Sequence, residues 1–301
     1  MDIRQIIDFI NPLSYHFNEE NPILLIKSID DLSFDKNSLG WCSDKNIQLL
    51  DNINSGTVLI SKKTEEELLI KGGDSQFNRI VVSNPRLVFA EVLGRFFIKQ
   101  PLFGVIHISS IIDETVLFLS NDVIIGPNVV IEENVKIGSK VIIGANSVIK
   151  AGTIINNNVK IGSNCTIGGV GFGYEPNEDG LYELIPHIGN VVLKESVEIG
   201  NNVCIDRAVI GSTILEREVK VDNLVHIAHG VHIGENSLII AHAMIAGSVK
   251  IGKNTWVSPC SAIKQKLEIG NNALIGLGSV VLKNVSDNDV VAGVPAKKIN
   301  N

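Results

Sequence analysis

Histidines concentrate in one short segment of this 301-residue chain, and imidazole is the side chain best suited to moving a proton near neutral pH. Four of the seven histidines lie there: His226, His229, His232 and His242. The spacing of the first three is also found among metal ligands. The segment therefore predicts either acid–base chemistry or metal binding, and the fold must decide between them.

Two neighbouring segments add aromatic and charged side chains that suit the binding of a substrate. The first segment is rich in glycine and contains Phe172, Tyr174 and His187. The second carries charges that can orient a base or contact a sugar phosphate, namely Asp206, Arg207 and Asp222. We expect all six side chains, together with His226 and His242, to contribute to substrate binding.

These segments lie in, or interrupt, a six-residue repeat that occupies most of the chain. Aliphatic residues recur in steps of six from Leu119 to Ile167, and the phase is lost over residues 168–192. The phase returns at Leu193 and, after a slip near Ile214, continues to Val281. Such regularity indicates stacked structural repeats.

The length of the repeat determines the geometry of one coil. Because six is divisible by two, each aliphatic residue falls on the same side of its strand, and glycine and asparagine supply tight corners. Three hexads close a triangular coil of about 18 residues, and coils stack at about 4.8 Å. We predict a mainly β protein with a parallel β-helix over residues 104–292, a loop inserted at 168–192, and a short tail at 293–301.

Residues 1–103 show no six-residue period and are predicted to form a separate unit. Apolar clusters such as Ile23–Ile26 and Val58–Ser61 precede an amphipathic stretch from Leu87 to Ile98, in which apolar side chains recur at three and four. This pattern predicts a small α/β domain.

The bulk composition excludes several classes of protein. A formal net charge of −7 without a dense Lys/Arg run argues against a nucleic-acid partner. The start of the chain is not that of a signal peptide, and no apolar run reaches the length of an integral membrane segment, so we expect a cytoplasmic protein. The four scattered cysteines are expected to be reduced, and no tightly bound cofactor is expected.

The helix geometry places the histidines on different faces and corners, so they are expected to have different roles. His226 and His232 occupy equivalent positions on different faces, so they cannot converge on a metal within one chain, and we predict no metal site. His229 lies near a corner, and Gly247 follows eighteen residues later, one coil on. A glycine there leaves its N–H open to a developing oxyanion while His229 takes a proton. The alternative is that Gly247 only eases a corner.

Several strings make a family resemblance specific. DNLVHIAHGVHIG, with GVGFGY, IPHIG, CIDR and IAGSVKIG in the same order, resembles the UDP-3-O-(3-hydroxyacyl)glucosamine N-acyltransferases of lipid A biosynthesis. The resemblance implies a left-handed helix and a homotrimer with active sites between subunits. It implies acyl transfer from a thioester of coenzyme A or acyl carrier protein to the amine of a nucleotide-linked sugar. It also implies His229 as the general base and Gly247 as the oxyanion donor.

The N-terminal domain departs from the family pattern. Where the family holds uridine with an aromatic residue, an asparagine and a tyrosine spaced by three, this chain has Trp41, Asp44 and Ile47. Trp41 and Asp44 are the predicted nucleotide contacts, and the nucleotide is UDP or dTDP. The segment NDVVAGVPAKKI resembles the ending of hexapeptide acetyltransferases that use coenzyme A. One alternative is therefore an acetyl- or short hydroxyacyl-coenzyme A transferase that acts on a dTDP- or UDP-amino-deoxysugar.

Two alternatives belong to other classes of protein. A γ-type carbonic anhydrase is also a left-handed helical trimer, but it needs three histidines that converge on zinc between chains. A non-catalytic solenoid would explain the coils, but it would explain neither the appended domain nor the broken repeat beside four histidines.

Overall fold

The structure is a computed structural model that describes residues 1–72 and 76–299. The chain divides into two compact units, Met1–Pro101 and Leu102–Asn301. The boundary lies two residues before the predicted one. Residues 300 and 301, at the end of the predicted tail, lie outside the described residues.

The N-terminal unit contains a five-stranded sheet in the order β1-β5-β4-β3-β2, parallel except for β1. The strands are β1 (Ser14–His16), β2 (Leu25–Ile26), β3 (Ser38–Trp41), β4 (Thr57–Ile60) and β5 (Asn78–Val81). Leu59 and Ile80 pack into one apolar cluster, and Val58 and Ile60 pack into a second. Because successive strand residues point to opposite faces, both faces of the central strands are buried.

Three α-helices of this unit begin at side-chain caps. They are α1 (Ile3–Ile10), α2 (Lys62–Ile70) and α3 (Pro85–Val92). Asp2, Ser61 and Asn84 each accept a hydrogen bond from a backbone N–H of the first turn, which satisfies donors that have no partner within the helix. A 3₁₀ segment at Asp44–Asn52 and a π-helical turn at Leu93–Phe97 complete the unit, so the predicted amphipathic stretch is helical to Phe97.

The second unit is a parallel β-helix with three faces, each built from short strands one coil apart. The strands of face 1 are Val105–Ile106, Ile124–Ile125, Ile142–Ile143, Lys160–Ile161, Glu198–Ile199, Lys220–Val221, Leu238–Ile239, Trp256–Val257, Leu274–Ile275, Val290–Ala292 and Lys297–Lys298. The strands of face 2 are Ile111–Ile112, Val130–Ile131, Val148–Ile149, Thr166–Gly169, Cys204–Asp206, His226–Ile227, Met244–Ile245, Ala262–Ile263 and Val280–Val281. The strands of face 3 are Leu117–Phe118, Lys136–Ile137, Ile154–Ile155, Asn190–Leu193, Ser212–Leu215, His232–Ile233, Lys250–Ile251 and Glu268–Ile269.

The aliphatic residues of the repeat fill the interior of the helix as one continuous core. Asparagine recurs at the corners because it tolerates the left-handed backbone conformation there, as at Asn128 and Asn146. These amides also stack, since Asn128 Nδ2 donates to Asn146 Oδ1 at 3.2 Å and Asn146 Nδ2 donates to Asn164 Oδ1 at 3.2 Å. The corners therefore help to hold successive coils in register.

The inserted loop and the tail are more ordered than the sequence predicts. Strands Thr166–Gly169 and Asn190–Leu193 continue the helix into both ends of the predicted insertion. The projecting part contains an antiparallel hairpin, Tyr174–Pro176 with Tyr182–Leu184. Lys297–Lys298 pairs antiparallel with Val290–Ala292, so the predicted tail adds a strand to face 1 instead of leaving the helix.

No helix among the described residues is both long enough and apolar enough to cross a membrane.

The buried column predicts a position-specific cost of truncation. Ile137 is fully buried in the helix core, whereas the preceding Lys136 is exposed on the outside of the same strand. We expect Ile137→Ala to lower the free energy of unfolding by about 2–5 kcal/mol, through lost burial and a residual cavity. The matched control Lys136→Ala should change it by about 0.5 kcal/mol or less. Urea titration measures both, and equal losses would contradict the proposed core.

Candidate active site

His229 lies at a corner that follows the face 2 strand His226–Ile227, and its ring packs against Gly247 in the next coil. A Cβ added to Gly247 would lie 2.7 Å from Nε2 of His229 and 2.8 Å from Cε1. Gly247 does not adopt a left-handed backbone conformation, whereas the adjacent Ser248 does, with φ 60°. Glycine at position 247 therefore leaves room for the ring, and the backbone conformation of the corner does not itself require a glycine there.

The backbone around Gly247 leaves its N–H available. The carbonyl of Gly247 accepts from the N–H of Lys266 at 2.9 Å, and the N–H of Ser248 donates to the carbonyl of His229 at 2.9 Å. Within residues 1–72 and 76–299, the N–H of Gly247 and the ring nitrogens of His229 have no hydrogen-bond partner. A proton acceptor and a backbone donor thus lie side by side, both open to a reacting group.

The inserted loop also packs against His229, at its Cβ and Cδ2 atoms. A Cβ added to Gly171 would lie 3.0 Å from Cβ of His229, 3.1 Å from its Cδ2 and 2.8 Å from Nε2 of His187. The rings of His187 and His229 meet edge to face, with centroids 5.4 Å apart and planes at 83°. The base candidate therefore packs against two glycines and a second imidazole.

His187 is 8% exposed, so the structure turns this predicted substrate contact inwards. Its Nδ1 lies 2.7 Å from the carbonyl oxygen of Ile185, which requires a proton on Nδ1. Its Nε2 is buried and has no hydrogen-bond partner among the described residues.

Electrostatics favour a neutral His229. Burial lowers the pKa of His229 below the usual value, and the neighbouring His187 lowers it further. An imidazole that stays neutral towards lower pH is available to accept a proton at neutral pH. Burial also raises the pKa of Asp206, and this effect is opposed by His226, whose Nε2 lies 3.6 Å from Oδ2 of Asp206.

The other predicted contacts divide into bonded and exposed side chains. Arg207 donates from Nε to the carbonyl of Gly168 at 2.7 Å and from Nη2 to that of Ala151 at 3.0 Å, so it secures the base of the inserted loop. Asp222 accepts from the backbone N–H groups of Asn223 and Ala241, which makes it part of a corner. Both side chains therefore bond backbone groups of the helix or loop.

Phe172, Tyr174 and His242 are exposed. The ring centroids of Phe172 and Tyr174 lie 5.0 Å apart in the inserted loop. His242 occupies a corner with φ 61°, one coil beyond Leu224 and on a different corner from His229. His242 is exposed, and its contact with substrate stays a prediction.

His226 and His232, at the two ends of the predicted metal-ligand spacing, do not converge within this chain. His226 lies on face 2, and His232 lies on face 3, where its Nε2 is 3.0 Å from Oε1 of Glu216. Across the described residues, no three His, Cys, Asp or Glu side chains are placed to hold a metal ion.

Trp41 borders a cavity of about 300 Å³ in the N-terminal unit, lined also by Lys27, Asn46 and Phe89. Asp44 does not line this cavity. Its Oδ1 accepts from the hydroxyls of Ser61 at 2.5 Å and Thr64 at 2.9 Å, which lowers the pKa of the carboxyl group. Asn46 lines the cavity because the chain makes a 3₁₀ turn there, and a spacing of three from Trp41 does not predict that position.

Comparisons with known proteins identify the family. Residues 118–151 match the family model described as bacterial transferase hexapeptide (six repeats). The UDP-3-O-acylglucosamine N-acyltransferase of Campylobacter lari is 38% identical over an alignment that covers 98% of this chain and 93% of that protein. The chain belongs to the UDP-3-O-acylglucosamine N-acyltransferase family. The predicted family is thereby confirmed.

A shorter match agrees with this family, and a more distant solved structure agrees with the fold. The Cytophaga hutchinsonii member is 54% identical over 83 residues, which are 28% of this chain and 24% of that protein. The crystal structure of Francisella novicida UDP-N-acetylglucosamine acyltransferase, 24% identical, covers 64% of this chain and 68% of its own with a TM-score of 0.59. The predicted fold class, a left-handed parallel β-helix preceded by a small α/β domain, is confirmed.

The close approach of Gly247 to His229 predicts a steric effect. In Gly247→Ala the new methyl group must displace the imidazole, and we expect kcat to fall about 100-fold, as small misplacements of catalytic groups do. The control is Gly94→Ala, where an added Cβ meets nothing within 4 Å. Steady-state kinetics with unchanged circular dichroism measures the effect, and similar activity in both variants would refute the packing argument.

Proposed function

We propose that this chain transfers an acyl group from a thioester to the free amine of UDP-3-O-acylglucosamine, a step in lipid A synthesis. The substrate is the one that names the family to which the chain belongs. The observation that carries the proposal is the half-buried His229 imidazole, packed on Gly247 with its pKa lowered and its ring nitrogens open.

The reaction is a direct transfer. The amine nitrogen attacks the thioester carbonyl, a C–N bond forms, and the carbonyl electrons move to oxygen. His229 accepts the proton that the amine loses, while the N–H of Gly247 donates to the oxyanion. When the tetrahedral intermediate collapses, the C–S bond breaks, and the thiolate takes the proton from the imidazolium, leaving an amide, a thiol and neutral His229.

No covalent acyl-enzyme is needed. Burial raises the pKa values of Cys42, Cys165 and Cys204, which disfavours the reactive thiolate form of each. The acyl group arrives as a thioester of acyl carrier protein or coenzyme A, so the protein needs no tightly bound cofactor. We infer a homotrimer, in which Phe172, Tyr174, Asp206, His226 and His242 contact substrate.

In the N-terminal unit we propose that the Trp41 cavity holds the nucleobase. The indole offers a stacking face, and the Asn46 amide offers a donor and an acceptor for base edges. The role that the sequence analysis gave to Asp44 passes to Asn46, because the Asp44 carboxylate is occupied by two hydroxyls.

The reaction is tested by release of free thiol from purified protein. We expect release with a long-chain acyl carrier protein donor and UDP-3-O-acylglucosamine, and none when that acceptor is omitted. Release only with a short coenzyme A thioester and a dTDP- or UDP-amino-deoxysugar would overturn the substrate assignment in favour of a polysaccharide-sugar acyltransferase.

The base is tested in the same assay. We expect His229→Ala to reduce kcat by about 10²–10⁴-fold, which is the usual contribution of a general base. In the native protein, kcat/KM should rise with pH and level off, with a midpoint below about 6.5, because the lowered pKa keeps His229 neutral to lower pH. A pH profile that persists unchanged in His229→Ala would assign the titration to another group.

Stacking on Trp41 predicts an effect on binding alone. We expect Trp41→Ala to raise KM for the nucleotide sugar about 10-fold with little change in kcat, as loss of a base–aromatic stack does. Tyr15→Ala is the control, since this exposed ring stacks on Phe17 at a centroid distance of 5.1 Å and does not line the Trp41 cavity. If KM for the nucleotide sugar were the same in both variants, the cavity would not be the nucleobase site.

A further inference from the structure

The His229 ring sits in a slot with two differently built walls. One wall is Gly247 in the next coil of the helix, which stands close to Nε2 and Cε1 of the ring. The other is Gly171 with His187 from the projecting loop, close to Cβ and Cδ2. The helix and the inserted loop thus both contribute residues that surround the base.

His187, in the wall formed by the loop, is a buried polar side chain. Its Nε2 is buried without a hydrogen-bond partner among the described residues, and a buried polar atom left unpaired is unfavourable. Its Nδ1 is fixed by the carbonyl of Ile185, so the ring cannot rotate freely to find a partner. The loop backbone therefore fixes the orientation of the His187 ring beside His229.

The loop is anchored where it leaves the helix. The Arg207 guanidinium donates to the Gly168 carbonyl, and the Arg207 N–H donates to the Gly169 carbonyl at 2.8 Å. At the other end, a Cβ on Gly189 would lie 2.4 Å from the carbonyl oxygen of Gly211, so this segment packs tightly on the next coil. The loop is therefore held firmly enough to position the residues that it carries.

We propose that the projecting loop is a clamp for the base, in which His187 and Gly171 are positioning residues that hold the His229 ring against Gly247 and away from water. This inference rests on the proposed function, because it assigns the clamp to the base of that reaction. His187 acts through His229 and does not touch the reacting atoms.

The clamp explains the protonation state of the base. The titratable groups nearest to His229 are His187 on the loop and, beyond it, Asp206 with its partner His226 on face 2. Removing the His187 ring admits water and takes away a neighbour that opposes a positive charge on His229. Both changes favour the imidazolium, so the pKa of His229 must rise towards about 6.5.

The test combines an NMR titration of His229 with kinetics on the full-length chain. In histidine-labelled protein, with the His229 signal assigned by its loss in His229→Gln, we expect His187→Ala to raise the pKa of His229. The midpoint of kcat/KM should move upwards with it, and kcat should fall about 10- to 100-fold with KM for the sugar within twofold. His232→Ala, which alters an exposed imidazole paired with Glu216, should leave both readouts unchanged.

A second variant guards against a loop that simply fails to fold. In Gly171→Ala the added methyl group enters the slot between His187 and His229, so kcat should fall similarly. Gly94→Ala is again the control, because a Cβ there meets nothing within 4 Å.

The outcomes separate the clamp from the chemistry. An unchanged pKa of His229 in His187→Ala, or an unchanged kcat in both loop variants, would overturn the clamp even if His229→Ala is inactive. Full activity of His229→Ala would overturn the proposed function instead, whatever the titration shows.

Discussion

Every feature of the site depends on the register with which one coil of the β-helix hydrogen-bonds to the next. Parallel pairing joins His226 to Met244 and Ile227 to Ile245, without a slip, so residues eighteen apart are stacked. This constraint brings His229 and Gly247 into contact, because the same interval carries one corner onto the next. Buried aliphatic columns and corner asparagines maintain the register. The proposed proton transfer depends on the resulting contact between His229 and Gly247.

A regular solenoid offers no enclosed volume, so the site requires departures from regularity. The projecting loop interrupts the repeat between Gly169 and Asn190, on the coils just before the histidine segment. It contributes the second imidazole and the glycine that close around His229. Burial supplied in this way lowers the pKa of the base, which a side chain on an open corner would not experience.

The sequence predicts the helix well because its period is a direct record of the fold. Six-residue spacing determines which side chains point inwards, and eighteen-residue spacing correctly places Gly247 against His229. Residue spacing does not predict side-chain orientations and hydrogen-bond partners where the contacts are not periodic. It could not foresee that His187 turns inwards, that Arg207 and Asp222 are occupied by backbone groups, or that Asn46 replaces Asp44 beside Trp41. Those outcomes depend on loop and turn conformations, for which spacing carries little information.

Chemical rescue tests most directly whether His229 serves as the base beside Gly171 and Gly247. Replacing His229 by alanine vacates a slot of imidazole shape, bounded by Gly171 and Gly247. We predict that added imidazole restores acyl transfer to His229→Ala in proportion to the concentration of its neutral form, with no effect on the native protein. Near-native turnover by His229→Ala without imidazole would contradict the account.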